Sequence, residues 1–540
     1  MSSEGLRPKL LTATLVLLTL SSCFLSSTAK VEAVEYEPWT LDTLPTGEFL
    51  SCFAHLYTNE YWQSRGYHFA TLVVDNSNGA ESESRTISIT VDKYSSSVVK
   101  NVSLAPREKK TVYFDPTFVS DLKKIAAPTP ANVTLKIMRA DGTVSLTNTK
   151  KITILPANSY YWGKAGALRP FTVVFSTPNA DPILKLVDTA NKTTTLPPAN
   201  KTATLPISGY KEARDFSREE IVDLQMRAVY NTVKALGVTY VNSSLGVYET
   251  KAQFLKSPRE MMINYSGNAL EIALLFTSAF ESIDLRPFLV FTTNHVFVAV
   301  AEWKDNDRLL PLDTALGPTT SYEDARARGK DLLERRRTTD PAFLVVDVSQ
   351  MRKTNKVAPC PYLETSSPQE FQQKVSKVTS EIEAAKTAIT QAKTKVDSIR
   401  NKTYDNAQAR TLRQRAIEEF ALAFTLFSAG KYVDAKSHAD QAADFVSKAE
   451  VPSVSSSSQF PILTVLLVIA VIAAAVVSFA IFVWRRSKRA AVGRTAPQDF
   501  VPPDTKSETT RPQTITCQKC GATNAAGAKF CEACGEQLKS

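Results

Sequence analysis

From Pro461 to Trp484 the chain runs 24 residues without a charged side chain. That length suffices to cross a bilayer, whereas a buried core helix is rarely so long and so free of charge. Arg485, Arg486, Lys488 and Arg489 follow at once. Clustered basic residues mark the cytoplasmic end of a span. The expectation is a single-pass cell-membrane protein held in a lipid bilayer. Its large N-terminal part would be extracellular and its C-terminal tail cytoplasmic. At the other end, Arg7 and Lys9 precede apolar Leu10–Leu20, and small residues continue to Ala29. This pattern predicts a signal peptide over 1–29. Leu20-Ser21-Ser22-Cys23 also resembles a lipobox, which leaves lipidation of Cys23 open.

The charge distribution agrees with that topology. The 540 residues carry 64 Lys/Arg and 54 Asp/Glu, a net +10. Ten basic and five acidic residues lie between Arg485 and Ser540, so half the excess sits on the last 56 residues. A basic tail beside an apolar run is not the basic face of a nucleic-acid-binding domain, so nucleic acid is not an expected partner. The cysteines separate in the same way. Cys517, Cys520, Cys531 and Cys534 crowd the C-terminus, while Cys23, Cys52 and Cys360 are scattered. Two populations suggest two redox compartments, and whether Cys52 pairs with Cys360 stays open.

Short Val/Ile/Thr/Tyr runs punctuated by Asn-Gly, Asp-Gly and Pro fill residues 34–160. They predict an all-β, immunoglobulin-like sandwich. Ser217 with Glu220 forms a capping box for a helix that stops at Gly237. In 366–449, Phe371, Val375, Val378, Ile382, Ala385, Ile389, Ala392, Val396 and Ile399 alternate at spacings of four and three. This heptad seam predicts a helical, coiled-coil-like stalk, read as an antiparallel hairpin with a short third helix. Residues 450–460 form a Ser-rich linker, and 485–516 a basic, Pro/Thr-rich tether.

The stretch from Lys256 to Ala315 carries the chemistry. Asn268 and Glu271 form a capping box for a helix reaching about Ser282. Strands are expected over Leu285–Phe291 and Val296–Ala301, and a shorter one ends at Asp313. This order resembles the transglutaminase-like domain of the papain-type cysteine hydrolases. The resemblance covers about 210–350 within an α+β segment bounded at 161 and 365. Gly267, Glu271 and Ala273 match the residues around the nucleophile, His295 the histidine and Asp313 the third member. The resemblance implies a thiolate at a helix N-terminus beside an imidazolium. Ala269 stands at that nucleophile position, and no cysteine lies between Cys52 and Cys360. His295 and Asp313 therefore read as a remnant pair, and Ser266 would need separate activation to substitute.

The tail segment CQKCGATNAAGAKFCEACGEQL spaces its cysteines C-x2-C-x10-C-x2-C, with glycine after each pair. Four thiolates at that spacing predict a structural Zn²⁺ held by Cys517, Cys520, Cys531 and Cys534, with no open position for catalysis. Residues 517–540 resemble a short zinc ribbon, for which a cytosolic protein partner is expected. The whole then reads as a multidomain surface protein: β-sandwich, non-catalytic transglutaminase-like domain, stalk, transmembrane helix over 461–484 and zinc ribbon. The expected function is binding of an extracellular peptide or envelope polymer. The alternatives are an active hydrolase or transglutaminase with an unorthodox nucleophile, and a purely structural envelope protein.

Overall fold

Alternating burial organises residues 34–155. In a computed structural model, which describes residues 34–197, 203–241, 251–315, 317, 320–450, 514–516 and 523–525, nine strands occupy this segment. They are β1 (Glu35–Tyr36), β2 (Thr40–Leu41), β3 (Glu48–Leu50), β4 (Ala70–Asp75), β5 (Glu83–Val91), β6 (Val98–Leu104), β7 (Lys109–Phe114), β8 (Thr129–Arg139) and β9 (Val144–Leu155). One sheet centres on β4, which pairs with β1, β2 and β7; the other runs β3-β9-β8-β5-β6. Ala70, Leu72 and Val74 of β4 are buried, and so are Ile87, Ile89 and Val91 of β5 and Val133, Leu135 and Ile137 of β8. Every second residue faces the same core, as the two-residue strand period requires.

The segment is not all-β. A 3-10 helix, Ser51–Leu56, and α1 (Glu60–Ser64) interrupt it, and β3 joins β9 in parallel. Its core also continues past residue 160. Phe171, Val174, Leu270, Ala273, Leu289 and Val346 belong to the same apolar cluster as Phe49, Trp62 and Ile137.

Helices and a second sheet follow. Short strands β10 (Ser159–Tyr160), β11 (Thr239–Tyr240), β12 (Gln253–Phe254) and β13 (Ser266–Gly267) pair β10 with β12 and β11 with β13. The helices are α2 (Asp181–Thr193), α3 (Arg218–Ala235), α4 (Pro258–Asn264) and α5 (Ala269–Ser282). Then come β14 (Pro287–Phe291), β15 (Val296–Ala301), β16 (Leu309–Leu312), α6 (Tyr322–Thr339), β17 (Leu344–Asp347) and α7 (Val348–Lys353). The sheet order is β16-β15-β14-β17, antiparallel throughout. All residues of β14 and β15 are buried, because helices cover both faces. Leu270, Ile272 and Leu275 of α5 pack on one face, and Leu332 and Leu333 of α6 lie against Phe288, Val290 and Phe297 on the other. Strands buried on both faces lose polar alternation and read as continuous apolar runs.

The heptad seam lies on α8 (Gln369–Ile399), which packs with α9 (Ala407–Ser428) and α10 (Tyr432–Glu450). Lys402, just past α8, pairs with Glu450 at the end of α10, so α8 and α10 run the same way with α9 between them. Three helices are present as expected, but the third, at 19 residues, is not short. The bundle does not stand apart as a stalk: Phe371, Ile382 and Phe427 share one apolar cluster with Ile183 of α2, Val229 of α3 and Phe276 of α5. Asn231 of α3 donates to the Ser428 carbonyl at 2.7 Å, and Arg259 Nε to the Ser366 carbonyl at 2.8 Å.

Two expectations are thereby corrected. The expected fold class, a string of immunoglobulin-like sandwich, α+β domain, hairpin stalk, span and ribbon, gives way to a body of mixed α and β content. The described residues up to Glu450 fall in one compact unit and those from Thr514 onward in a second. The sequence periods locate apolar faces but not what covers them, and here the faces cover one another. The single-pass cell-membrane placement is overturned as well. Among the described residues no helix is long and apolar enough to cross a membrane. Each of those helices that is long enough keeps a polar face, as surface helices do. The stretches 1–29 and 461–484, with Cys23, lie outside the described residues. Cys52 and Cys360 are buried free thiols.

Candidate functional site

Helix α5 is launched by a full capping box. Asn268 Oδ1 accepts from Glu271 N at 3.0 Å, and Glu271 Oε2 accepts from Asn268 N at 2.9 Å. The other Glu271 oxygen accepts from Lys256 N at 2.8 Å. Both carboxylate oxygens are thus engaged by backbone N–H groups, and Glu271 is a cap rather than an acid or base. Gly267 precedes the box in close quarters: a Cβ there would come within 2.2 Å of Met261 Sδ. Ala269, the first helical residue, is buried, its methyl group at the end of α5 where backbone N–H groups favour negative charge.

His295 immediately precedes the second hairpin strand, β15. Its backbone exchanges hydrogen bonds with Thr292: His295 N donates to Thr292 Oγ1 at 3.0 Å, and Thr292 N donates to the His295 carbonyl at 2.9 Å. The neighbouring Thr293 donates through N and Oγ1 to the two oxygens of Asp340, which pins the turn. Asp313 follows β16, next to β15 in the sheet, and its Oδ1 lies 2.9 Å from His295 Nε2. The pair is therefore assembled by sheet register across 18 residues. His295 Nδ1 has no hydrogen-bond partner among the described residues.

Asp313 is held from three more directions. Ala315 N donates to Oδ1 at 3.1 Å, Arg328 Nε lies 3.4 Å from Oδ2, and Asp313 N donates to the Ala325 carbonyl at 3.0 Å. Helix α6 can approach this closely because residue 329 is glycine; a Cβ there would stand 2.8 Å from Asp313 N. Burial pushes the Asp313 carboxyl up, but the His295 hydrogen bond and charge, the Ala315 N–H and Arg328 outweigh it and hold the group below its usual value. A carboxyl depressed in the folded state contributes stability that is present above its unfolded value and lost as pH falls through the folded one. Asp313→Asn is therefore expected to flatten the loss of stability on acidification below about pH 4. Urea midpoints across that range check it; an unchanged slope would show that Asp313 is not held ionised.

The structure thus joins His295 to Asp313 and places Ala269 on α5, the helix packed beneath their sheet. Sequence reading missed Arg328, Thr292 and Asp340. Arg328 lies in the segment SYEDARARG, but nothing local reveals that this helix turns it toward Asp313. Among the described residues no cluster of His, Cys, Asp or Glu could hold a metal ion.

The four tail cysteines lie outside the described residues. Strands β18 (Thr514–Thr516) and β19 (Thr523–Ala525) are described and pair antiparallel, Thr516 opposite Thr523. In sequence, Cys517 and Cys520 occupy the connection between these two strands. Four cysteines spaced as two Cys-x2-Cys pairs are a donor set suited to tetrahedral zinc.

Comparison with protein families matches residues 516–538 to a zinc-ribbon domain. No curated protein and no solved structure matches the chain. The transglutaminase-like resemblance of residues 210–350 gains no support from these comparisons, and the matched segment of the chain is similar to zinc-ribbon domains.

Proposed function

We propose that α5 and the β14–β17 sheet form a non-catalytic binding module for a peptide chain, a transglutaminase-like arrangement without its nucleophile. The observation that carries this reading is Ala269 at the head of a capped helix while the His295–Asp313 pair is kept. A methyl group cannot attack an acyl carbon, and nucleophilic catalysis needs an activated thiol, hydroxyl or amine there. The intact chain is expected to show no amine incorporation into glutamine peptides and no amide hydrolysis above background. A second reading keeps catalysis at Ser266, because Lys256 Nζ lies 3.4 Å from Ser266 Oγ. The same ammonium is 3.0 Å from the Ser266 carbonyl, which favours a structural lysine. Turnover abolished by Ser266→Ala would establish this second reading and end the first.

In the tail, the reading is a structural zinc ion held by Cys517, Cys520, Cys531 and Cys534. Bound there, zinc supplies a crosslink between two knuckles in a segment too short to bury its own core. The full chain is expected to carry one zinc per molecule by metal analysis. Cys520→Ser should release it to a chromogenic chelator under conditions where the unmutated chain retains it. Stoichiometric zinc retained by Cys520→Ser would remove Cys520 from the ligand set.

A further inference from the structure

A cavity of about 220 Å³ opens between the first strands and the segment after β10. Its wall is aromatic: Phe53, Tyr57, Trp62, Tyr67 and Tyr161 all line it. These rings are set by packing among themselves, with Trp62 stacked on Tyr67 at 4.4 Å and tilted against Phe53 at 5.2 Å. One carboxylate joins them. Asp42 Oδ2 accepts from Tyr57 OH at 2.9 Å, and Oδ1 has no partner among the described residues. No lysine or arginine forms an ion pair with Asp42 among the described residues. The nearby His68 is bound to Asp115 at 2.8 Å. Lys164, the one basic residue on the cavity wall among the described residues, is exposed, while Glu48 adds a second acidic group. Burial holds the Asp42 carboxyl above its usual value despite the Tyr57 hydrogen bond, and the Asp115 charge adds to the rise.

A partly buried carboxylate without a cationic partner is costly unless something compensates it. Aromatic ring faces carry negative potential and attract cations, most strongly where water is excluded. The volume suits a small molecule rather than a drug-sized one. We propose that this cavity binds a small methylated-ammonium cation, its charge set against Asp42 and its methyl groups against the aromatic wall. The site is separate from Ala269, His295 and Asp313, none of which lines it.

The test uses the full chain and choline as the probe, with titration calorimetry as the readout. Choline is expected to bind saturably, and its neutral carbon analogue at least about tenfold more weakly, the size of a desolvated cation–π and charge contribution. Asp42→Asn should weaken choline binding by about tenfold or more. Tyr67→Leu, at a half-buried ring, should weaken it too. If Asp42→Asn fails to fold, the contrast between choline and its neutral analogue on the unmutated chain decides the matter. Absence of saturable choline binding, equal binding of the neutral analogue, or undiminished binding by folded Asp42→Asn would each overturn the proposal.

Discussion

Ala269→Cys is expected to create a thiol that iodoacetamide alkylates faster than free cysteine at neutral pH. The position is the first residue of α5, at the positive end of the helix dipole. The His295 ring is held through Nε2 by Asp313, and its Nδ1 has no hydrogen-bond partner among the described residues. A free thiol is only about 3% ionised at pH 7, so complete conversion to thiolate caps the gain near thirtyfold. His295→Ala in the same background should return the rate toward that of free cysteine. Burial works in the opposite direction and supplies the internal comparison. Cys360 is pushed up to about 12 and Cys52 well above its usual value, both mainly by burial, so both should alkylate slowly. Site-resolved mass spectrometry separates the three. The substitution adds a single sulfur, and a stability change below about 1.5 kcal/mol is expected. A cysteine at 269 as inert as Cys52 would mean that no cleft remains there, and the binding reading would fall.

Phe371→Ala should destabilise the protein by about 3–5 kcal/mol, the cost of removing a fully buried phenylalanine. Phe371 is completely buried near the start of α8, in the cluster that includes α2, α3 and α5. Leu422→Ala on α9 is the comparison. That side chain is 41% exposed, and its loss should stay within about 0.5 kcal/mol. The informative readout is where the damage appears. If the bundle shares a core with the rest, Phe371→Ala lowers the urea midpoint seen by the tryptophans, all of which precede α8 in the described residues. A loss of helix signal with an unchanged tryptophan transition would show that α8–α10 fold independently as a stalk.

Local features were legible because they depend on neighbours in sequence. The capping boxes of α3 and α5 need only a side chain three residues from its partner, and both stand where Ser217–Glu220 and Asn268–Glu271 predicted them. The heptad residues from Phe371 to Ile399 are buried apart from Val375, which packs partly against the same cluster. The zinc-ribbon segment was legible for a similar reason, since four cysteines in one short stretch carry their chemistry with them.

What the chain alone could not determine is which buried face meets which. The strand alternation of residues 34–160 is compatible with a closed sandwich, yet its core runs on into α5 and β14 through Leu270 and Leu289. The seam on α8 is compatible with a free stalk, yet it also covers α2 and α3. Arg328 reaches Asp313, and Tyr57 reaches Asp42, only once helix and strand are docked. Periodicity measures the apolar fraction of a face, and burial is satisfied equally by any complementary surface. Only the three-dimensional packing selects one partner among them, and with it the carboxylates left facing a cavity or a histidine.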